Sequence, residues 1–261
     1  MSVISVNGID VDVIQEGQGR DLVLLHTLLA DRSVYDAVIP ELAKHRRVTR
    51  INFPGYGASG DVGPEMKDYA DLVAATMKEL GLPVETDVLG NGFGGFVAGT
   101  LAIHHGDIFD KLVLVDTGAG FPEPDKKPLR FIAGKVGEEG MVSILDAAVN
   151  RMFPEIFVKQ RPDIISTRKE RLTEARPEMF VNAIGALIAL DNRPHLAKIK
   201  NKTLVVVGLE DKTTPPSLSS ELVSGIDGAE LVELPGLGHC PQLQDPAAFL
   251  TGVGNFLELP G

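Results

Sequence analysis

Apolar residues in this chain fall into short continuous runs separated by breaks rich in glycine and proline. Leu22–Leu25, Leu112–Val115 and Leu204–Val207 are unbroken apolar stretches, the pattern of strands buried on both faces of a parallel sheet. Residues 47–52, 86–89 and 229–234 complete this set of predicted strands. At the start, two alternating runs (residues 3–6 and 10–15) flank Asn7-Gly8, a strong hairpin signal. Apolar positions at helical spacing predict helices over 33–43, 65–80, 92–105 and 246–257. Residues 121–195 differ in texture: they hold no strand-like run, only helical stretches punctuated by Pro122, Pro124, Pro128, Pro154, Pro162, Pro177 and Pro194. The order is a hairpin, repeated β–α units, a helical interruption and two further β–α units. Such alternation predicts a mostly parallel sheet with helices on both faces.

At 261 residues with 44% hydrophobic content, the chain can bury a sizeable core. Its net charge of −11 repels phosphate backbones and anionic membranes, so nucleic acid and membrane are not expected partners. The charge is uneven: residues 121–195 carry 12 basic and 11 acidic side chains, leaving −12 for the remainder. A nearly neutral segment over an acidic body favours a small anionic substrate of aromatic or aliphatic character, with Arg130, Arg151 or Arg193 as clamps. A homodimer is a possible assembly. Asp10 and Asp12 near the N-terminus leave no apolar signal region, and Cys240 stands alone. Both point to a reducing, cytoplasmic setting.

The informative stretch is Val88-Leu89-Gly90-Asn91-Gly92-Phe93-Gly94-Gly95. A strand runs into a glycine-rich turn and a helix follows. This is the context of a nucleophile elbow, Gly-x-Ser-x-Gly, but Gly92 stands where the serine belongs. The spacing does not fit a dinucleotide fingerprint, and no metal-ligand or phosphate-loop spacing occurs, so no cofactor and no metal are expected.

Further loops are in register with this turn: Leu24-Leu25-His26-Thr27, Phe53-Pro54-Gly55-Tyr56-Gly57-Ala58-Ser59, Gly208-Leu209-Glu210-Asp211 and Gly238-His239. On these residues the chain resembles the α/β-hydrolase superfamily over almost its whole length. It looks most like the capped group of enol-lactonases, meta-cleavage product hydrolases and small carboxylesterases. The resemblance implies an α/β-hydrolase fold: a mostly parallel, eight-stranded twisted sheet flanked by helices, with a helical cap. Core segments 1–120 and 196–261 would bracket a cap at 121–195.

It also implies an order of nucleophile, acid and base along the chain. The acid falls on Asp211, with Asp116 as rival, the base on His239, and the nucleophile position on Gly92. The oxyanion donors fall on the backbone N–H groups of Phe93 and Leu28. His26-Thr27 replaces the usual His-Gly of that loop. Thr27, Phe131, Met152, Phe153 and Leu187 are the expected substrate-binding residues, with Phe157 and Phe180 also candidate lining. His26 reads as a loop brace, His104 and His105 as helix-end residues, and Cys240 as a bystander beside the base.

Glycine accepts the positive φ of an elbow without steric cost. Gly92 should therefore relax the turn and leave a space the size of a hydroxymethyl group beside His239. The leading expectation is a hydrolase for an ester, lactone or related carbonyl substrate, with His239–Asp211 activating a water in that space. Three other readings stay open. They are cofactor-free lyase- or oxygenase-like chemistry on the same base, a non-catalytic ligand-binding protein, and a serine hydrolase inactivated by replacement at position 92.

Overall fold

The structure, a computed structural model, describes residues 2–260. Eight strands form one sheet: β1 (Ser2–Val6), β2 (Ile9–Glu16), β3 (Arg20–Leu25), β4 (Arg46–Ile51), β5 (Asp87–Asn91), β6 (Lys111–Val115), β7 (Lys202–Gly208) and β8 (Glu230–Leu234). Their spatial order is β1-β2-β4-β3-β5-β6-β7-β8. β1 and β2 pair antiparallel through the Asn7-Gly8 turn, and β2 pairs antiparallel with β4. Every other neighbouring pair is parallel. β5 and β6 are buried at every position, whereas the edge strands β1 and β8 are largely exposed. Continuous apolar runs thus occupy the centre, where helices cover both faces.

The helices are α1 (Ile39–Leu42), α2 (Met66–Glu79), α3 (Phe93–His105), α4 (Lys126–Glu139), α5 (Leu145–Met152) and α6 (Glu155–Gln160). They continue with α7 (Pro162–Thr173), α8 (Pro177–Ala189), α9 (Pro216–Gly225), α10 (Pro241–Gln244) and α11 (Pro246–Gly254). The helix expected over 33–43 is broken into a 3-10 turn at Arg32–Tyr35 and the short α1. Pro40 explains the break: it sits at the start of α1, a position where its missing N–H costs nothing. The last helix ends at Gly254, short of the expected 257.

Helices α4 to α8 all fall between β6 and β7, and the excursion closes on itself. Gly120 bridges Asp191, and the N–H of Asn192 donates to the carbonyl of Ala119 at 2.7 Å. Among the described residues no helix is long and apolar enough to cross a membrane.

The loops that matter all leave the carboxyl ends of the parallel strands: after β3, β5, β6, β7 and β8. In an open parallel sheet this is the edge where ligand crevices form. α3 packs so close to the sheet that a Cβ on Gly94 would lie 2.2 Å from the carbonyl oxygen of Leu25. Glycine there brings the helix N-terminus to the loop after β3, where the N–H of Gly94 donates to the carbonyl of His26 at 3.0 Å.

Candidate active site

Gly92 joins β5 to α3 with φ 55° and ψ −116°, a backbone conformation that side chains on L-residues rarely tolerate. It is pinned on both sides. Its N–H donates to the carbonyl of Val115 at 2.9 Å, and its carbonyl accepts from the Thr117 hydroxyl at 2.9 Å. The turn keeps elbow geometry without an elbow side chain.

His239 follows β8 and is 1% exposed. Its backbone is fixed from two directions. The N–H donates to the carbonyl of Met152 at 2.9 Å, and the carbonyl accepts from Asn91 Nδ2 at 2.8 Å. Its ring Nδ1 lies 2.8 Å from Asp211 Oδ2. The other oxygen of Asp211 accepts from the backbone N–H groups of Thr213 and Thr214, at 2.6 and 3.2 Å. Thr214 Oγ1 sits 2.6 Å from Asp211 Oδ2 and 2.7 Å from the carbonyl of Asp116, tying the acid loop to the end of β6. With an acceptor facing Nδ1, that nitrogen carries the proton and Nε2 presents its lone pair.

Asp116 does not hold the imidazole. Its Oδ1 accepts from the N–H of Gly208 at 2.8 Å, and its backbone takes φ 46°. Burial first, then the charge of Asp211, push the Asp116 carboxyl well above the usual carboxylate range. Two carboxyl groups thus share one buried corner, and the one facing His239 is Asp211.

The space expected beside Gly92 is not vacant. Thr27 Oγ1 lies 2.9 Å from His239 Nε2. A Cβ built on residue 92 would fall 2.4 Å from that oxygen and 2.6 Å from Nε2. The Thr27 side chain, projecting from the loop after β3, has closed over the position.

The Phe93 and Leu28 N–H groups border the same place. As the first residue of the 13-residue α3, Phe93 has no intrahelical acceptor, and the helix dipole favours negative charge there. Neither N–H has an acceptor among the described residues. Edge-to-face contacts of the Phe93 ring with Phe53 and Tyr69, at centroid distances of 5.2 and 5.1 Å, hold the first turn. The loop carrying Leu28 is braced by the Tyr56 hydroxyl, which donates to the Leu28 carbonyl.

His26 completes that brace. Its Nδ1–H donates to the Thr27 carbonyl at 2.8 Å, and its Nε2 accepts from the Phe53 N–H at 2.9 Å. Burial brings its pKa down to about 4. Cys240 is fully buried with its Sγ 3.7 Å from Asn91 Oδ1, and burial pushes its thiol well above the usual range. His105 Nε2 meets Asp71 Oδ1 at 2.7 Å, far from the site in the fold.

These groups open into a narrow cleft at the carboxyl edge of the sheet. Thr27, Leu28, Gly92, Phe93, Leu187 and His239 line it, all named from the sequence. Phe180 from α8 lines it as well, with Phe96, Phe121, Leu129, Ile132 and Ile184 extending the apolar wall.

Four of the expected lining residues stand elsewhere, among them Phe157, which packs on Phe153 with ring centroids 5.1 Å apart. Phe131 is 64% exposed, because it faces away from the buried side of α4 marked by Ile132 and Val136. Met152 and Phe153 are buried in the core outside the lining, and Met152 serves the site through its carbonyl. Of the three arginines, only Arg151 reaches the lining. Arg130 pairs with Glu123, and Arg193 with Asp191. Asn91, the last residue of β5, and Thr213 and Thr214, in the loop after β7, carry no periodic signal in the sequence that marks them. The proximity of Thr213 and Thr214 to Asp211 was the only available hint.

An imidazole held by a carboxylate, two unpaired backbone N–H groups and an apolar cleft lie together, an arrangement suited to chemistry at a carbonyl carbon. The comparison with known proteins agrees with that class. The model of the alpha/beta hydrolase family matches residues 22–251, and the chain belongs to this family. It is 28% identical over 250 residues to a pimeloyl-[acyl-carrier protein] methyl ester esterase of Chromobacterium violaceum, covering 93% of this chain and 96% of that protein. Identity to 3-oxoadipate enol-lactonase 2 of Acinetobacter baylyi is 29% over 201 residues, 76% of this chain and 74% of the relative. The crystal structure of the enol-lactonase from Burkholderia xenovorans LB400 superposes with a TM-score of 0.93 at 27% identity, covering 98% of this chain and all of the other.

Proposed function

We propose that this chain is a hydrolase of a small ester or lactone. His239, oriented by Asp211, activates water as the final acyl acceptor, and the elbow residue Gly92 supplies no nucleophile. The observation that carries the reading is the His239–Asp211 contact of 2.8 Å beside two unpaired N–H groups. In this reading the carbonyl oxygen of the substrate sits on the Phe93 and Leu28 N–H groups, which take up its negative charge as the tetrahedral intermediate forms. Residues 121–195 act as a cap: α4 and α8 supply Leu129, Ile132, Phe180, Ile184 and Leu187 to the apolar wall. Arg151 is the cationic lining group and supports a substrate with an acidic substituent. The net charge of −11 and the single buried cysteine support a cytoplasmic setting.

The test is hydrolysis of a panel of short p-nitrophenyl esters, methyl esters and lactones by the wild type and His239→Ala, with product oxygen traced in labelled water. Turnover by the wild type that incorporates solvent oxygen and disappears in the variant is the expected result. Turnover unchanged in His239→Ala, or product formed without solvent oxygen, refutes the reading.

A further inference from the structure

The elbow lacks a hydroxyl, yet the base of the site is in contact with one. We propose that Thr27 is the nucleophile of this enzyme and that catalysis passes through an acyl-threonine. The inference rests on the hydrolase reading above and deepens it by naming the group that attacks first.

Four observations carry it. The lone pair of His239 Nε2, left free by the Asp211 contact on Nδ1, is engaged by Thr27 Oγ1 at 2.9 Å. A neutral imidazole has one such lone pair, so the group placed to lose a proton to His239 is the threonine hydroxyl. A Cβ on residue 92 would fall 2.4 Å from Thr27 Oγ1 and 2.9 Å from Thr27 Cβ, so this side chain occupies the ground where an elbow serine would branch.

The third observation is the relation to the oxyanion donors. At an elbow, the N–H following the nucleophile is one of the two donors. Leu28 follows Thr27 as Phe93 follows residue 92, and both N–H groups are unpaired at the cleft. The hydroxyl stands on the loop of one donor while the turn of the other has none, and the sequence relation between hydroxyl and donor is the same. Finally, Thr27 is held rather than mobile. It is 2% exposed, and its carbonyl accepts from His26 Nδ1 at 2.8 Å and from the Ala30 N–H at 3.3 Å.

The steps balance without any further reactant. The Thr27 proton passes to His239 Nε2 as Oγ1 bonds to the substrate carbonyl carbon, and the carbonyl oxygen becomes negative against the Phe93 and Leu28 N–H groups. Collapse of this intermediate breaks the bond to the alcohol oxygen, which takes the proton from His239 and leaves. In a lactone it remains tethered. Water then gives its proton to Nε2 and attacks the acyl carbon, and Thr27 Oγ1 departs with that proton. Ester and water become acid and alcohol, and the enzyme is restored.

The experiment uses the full chain, p-nitrophenyl acetate and a fluorophosphonate, with wild type, Thr27→Val and Thr27→Ser. Acid-quenched samples are digested and the peptide containing residue 27 is weighed. The expected result is an acetyl or phosphonyl group on Thr27. Thr27→Val should lose at least about 100-fold in kcat/KM, with its thermal transition preserved. Thr27→Ser should keep both adduct and turnover. An unlabelled Thr27 peptide, together with wild-type turnover in Thr27→Val, overturns the proposal and leaves direct attack by water. In that case loss of turnover in His239→Ala still supports the hydrolase reading. A wild type that neither turns over esters nor takes the fluorophosphonate overturns both.

Discussion

Thr27 Oγ1 and His239 Nε2 meet at 2.9 Å, although 212 residues separate them in the chain. The contact brings the loop after β3 to the loop after β8, across the carboxyl edge of the sheet. It also decides what the glycine at the elbow means. The space beside Gly92 is not empty, because the Thr27 side chain stands there against His239.

The two buried carboxyl groups should behave differently on amidation. Asp211 holds the imidazole, so Asp211→Asn presents a donor to Nδ1 and favours the other tautomer. Ester turnover should fall by about 10⁴-fold, the scale seen when a triad aspartate is amidated. Asp116 is pushed well above the usual carboxylate range by burial and by the charge of Asp211, and its Oδ1 faces the Gly208 N–H rather than the imidazole. Asp116→Asn should therefore keep most of the activity. Steady-state kinetics on both variants checks this, and equal losses would show that the two carboxyls act as one unit.

Gly92→Ser alone should not create a faster enzyme. Its Cβ would press on Thr27 Oγ1 at 2.4 Å and His239 Nε2 at 2.6 Å, and it would sit at φ +55°. Strain of that kind costs on the order of 1–3 kcal/mol, and relieving it means breaking the Thr27–His239 bond. Adding Thr27→Gly should relieve the crowding, so the double variant should turn over p-nitrophenyl esters faster than Gly92→Ser. A large gain from Gly92→Ser by itself would contradict this packing argument.

His26 should make the fold sensitive to mild acid. Both its nitrogens are committed, Nδ1 as donor to Thr27 and Nε2 as acceptor from Phe53. Protonation would set a second donor against the Phe53 N–H. The folded chain takes this proton only near pH 4, whereas the unfolded chain takes it near 6.5. Between those values the unfolded state binds more protons, so stability falls as pH falls. The His26 share of the loss is roughly 3 kcal/mol at most. Urea unfolding at pH 7 and pH 4.5 should show a smaller drop for His26→Gln than for the wild type.

Cavity-lining and surface positions should separate cleanly. Leu187 lines the cleft, so Leu187→Trp should raise KM or exclude longer acyl chains. Phe131 is 64% exposed, and Phe131→Ala should leave ester kinetics unchanged. A kinetic effect at Phe131 would mean that α4 turns on substrate binding.

The strand order along the chain, the hairpin and the glycine turn ahead of α3 were legible in the sequence, and residues 211 and 239, named from it, are in contact in the fold. Buried parallel strands need continuous apolar runs, and tight turns need glycine, so local chemistry marks them. The role of Gly92 as a position without a side chain was equally plain. What fills that position was not. Thr27 reads as an ordinary departure in a donor loop until β3 and β8 are set on the same edge of the sheet. Likewise, the sequence could point Phe131, Met152 and Phe153 towards substrate on hydrophobicity alone. Helix phase is decided by packing of α4 and α5 against their neighbours, and it turns Phe131 outward and leaves Met152 to act through its carbonyl. The amino-acid sequence determined where the tight loops at the strand ends fall, because each is written in local residue types. The tertiary structure alone decided which hydroxyl faces the base, because that depends on the distance between loops far apart in the chain.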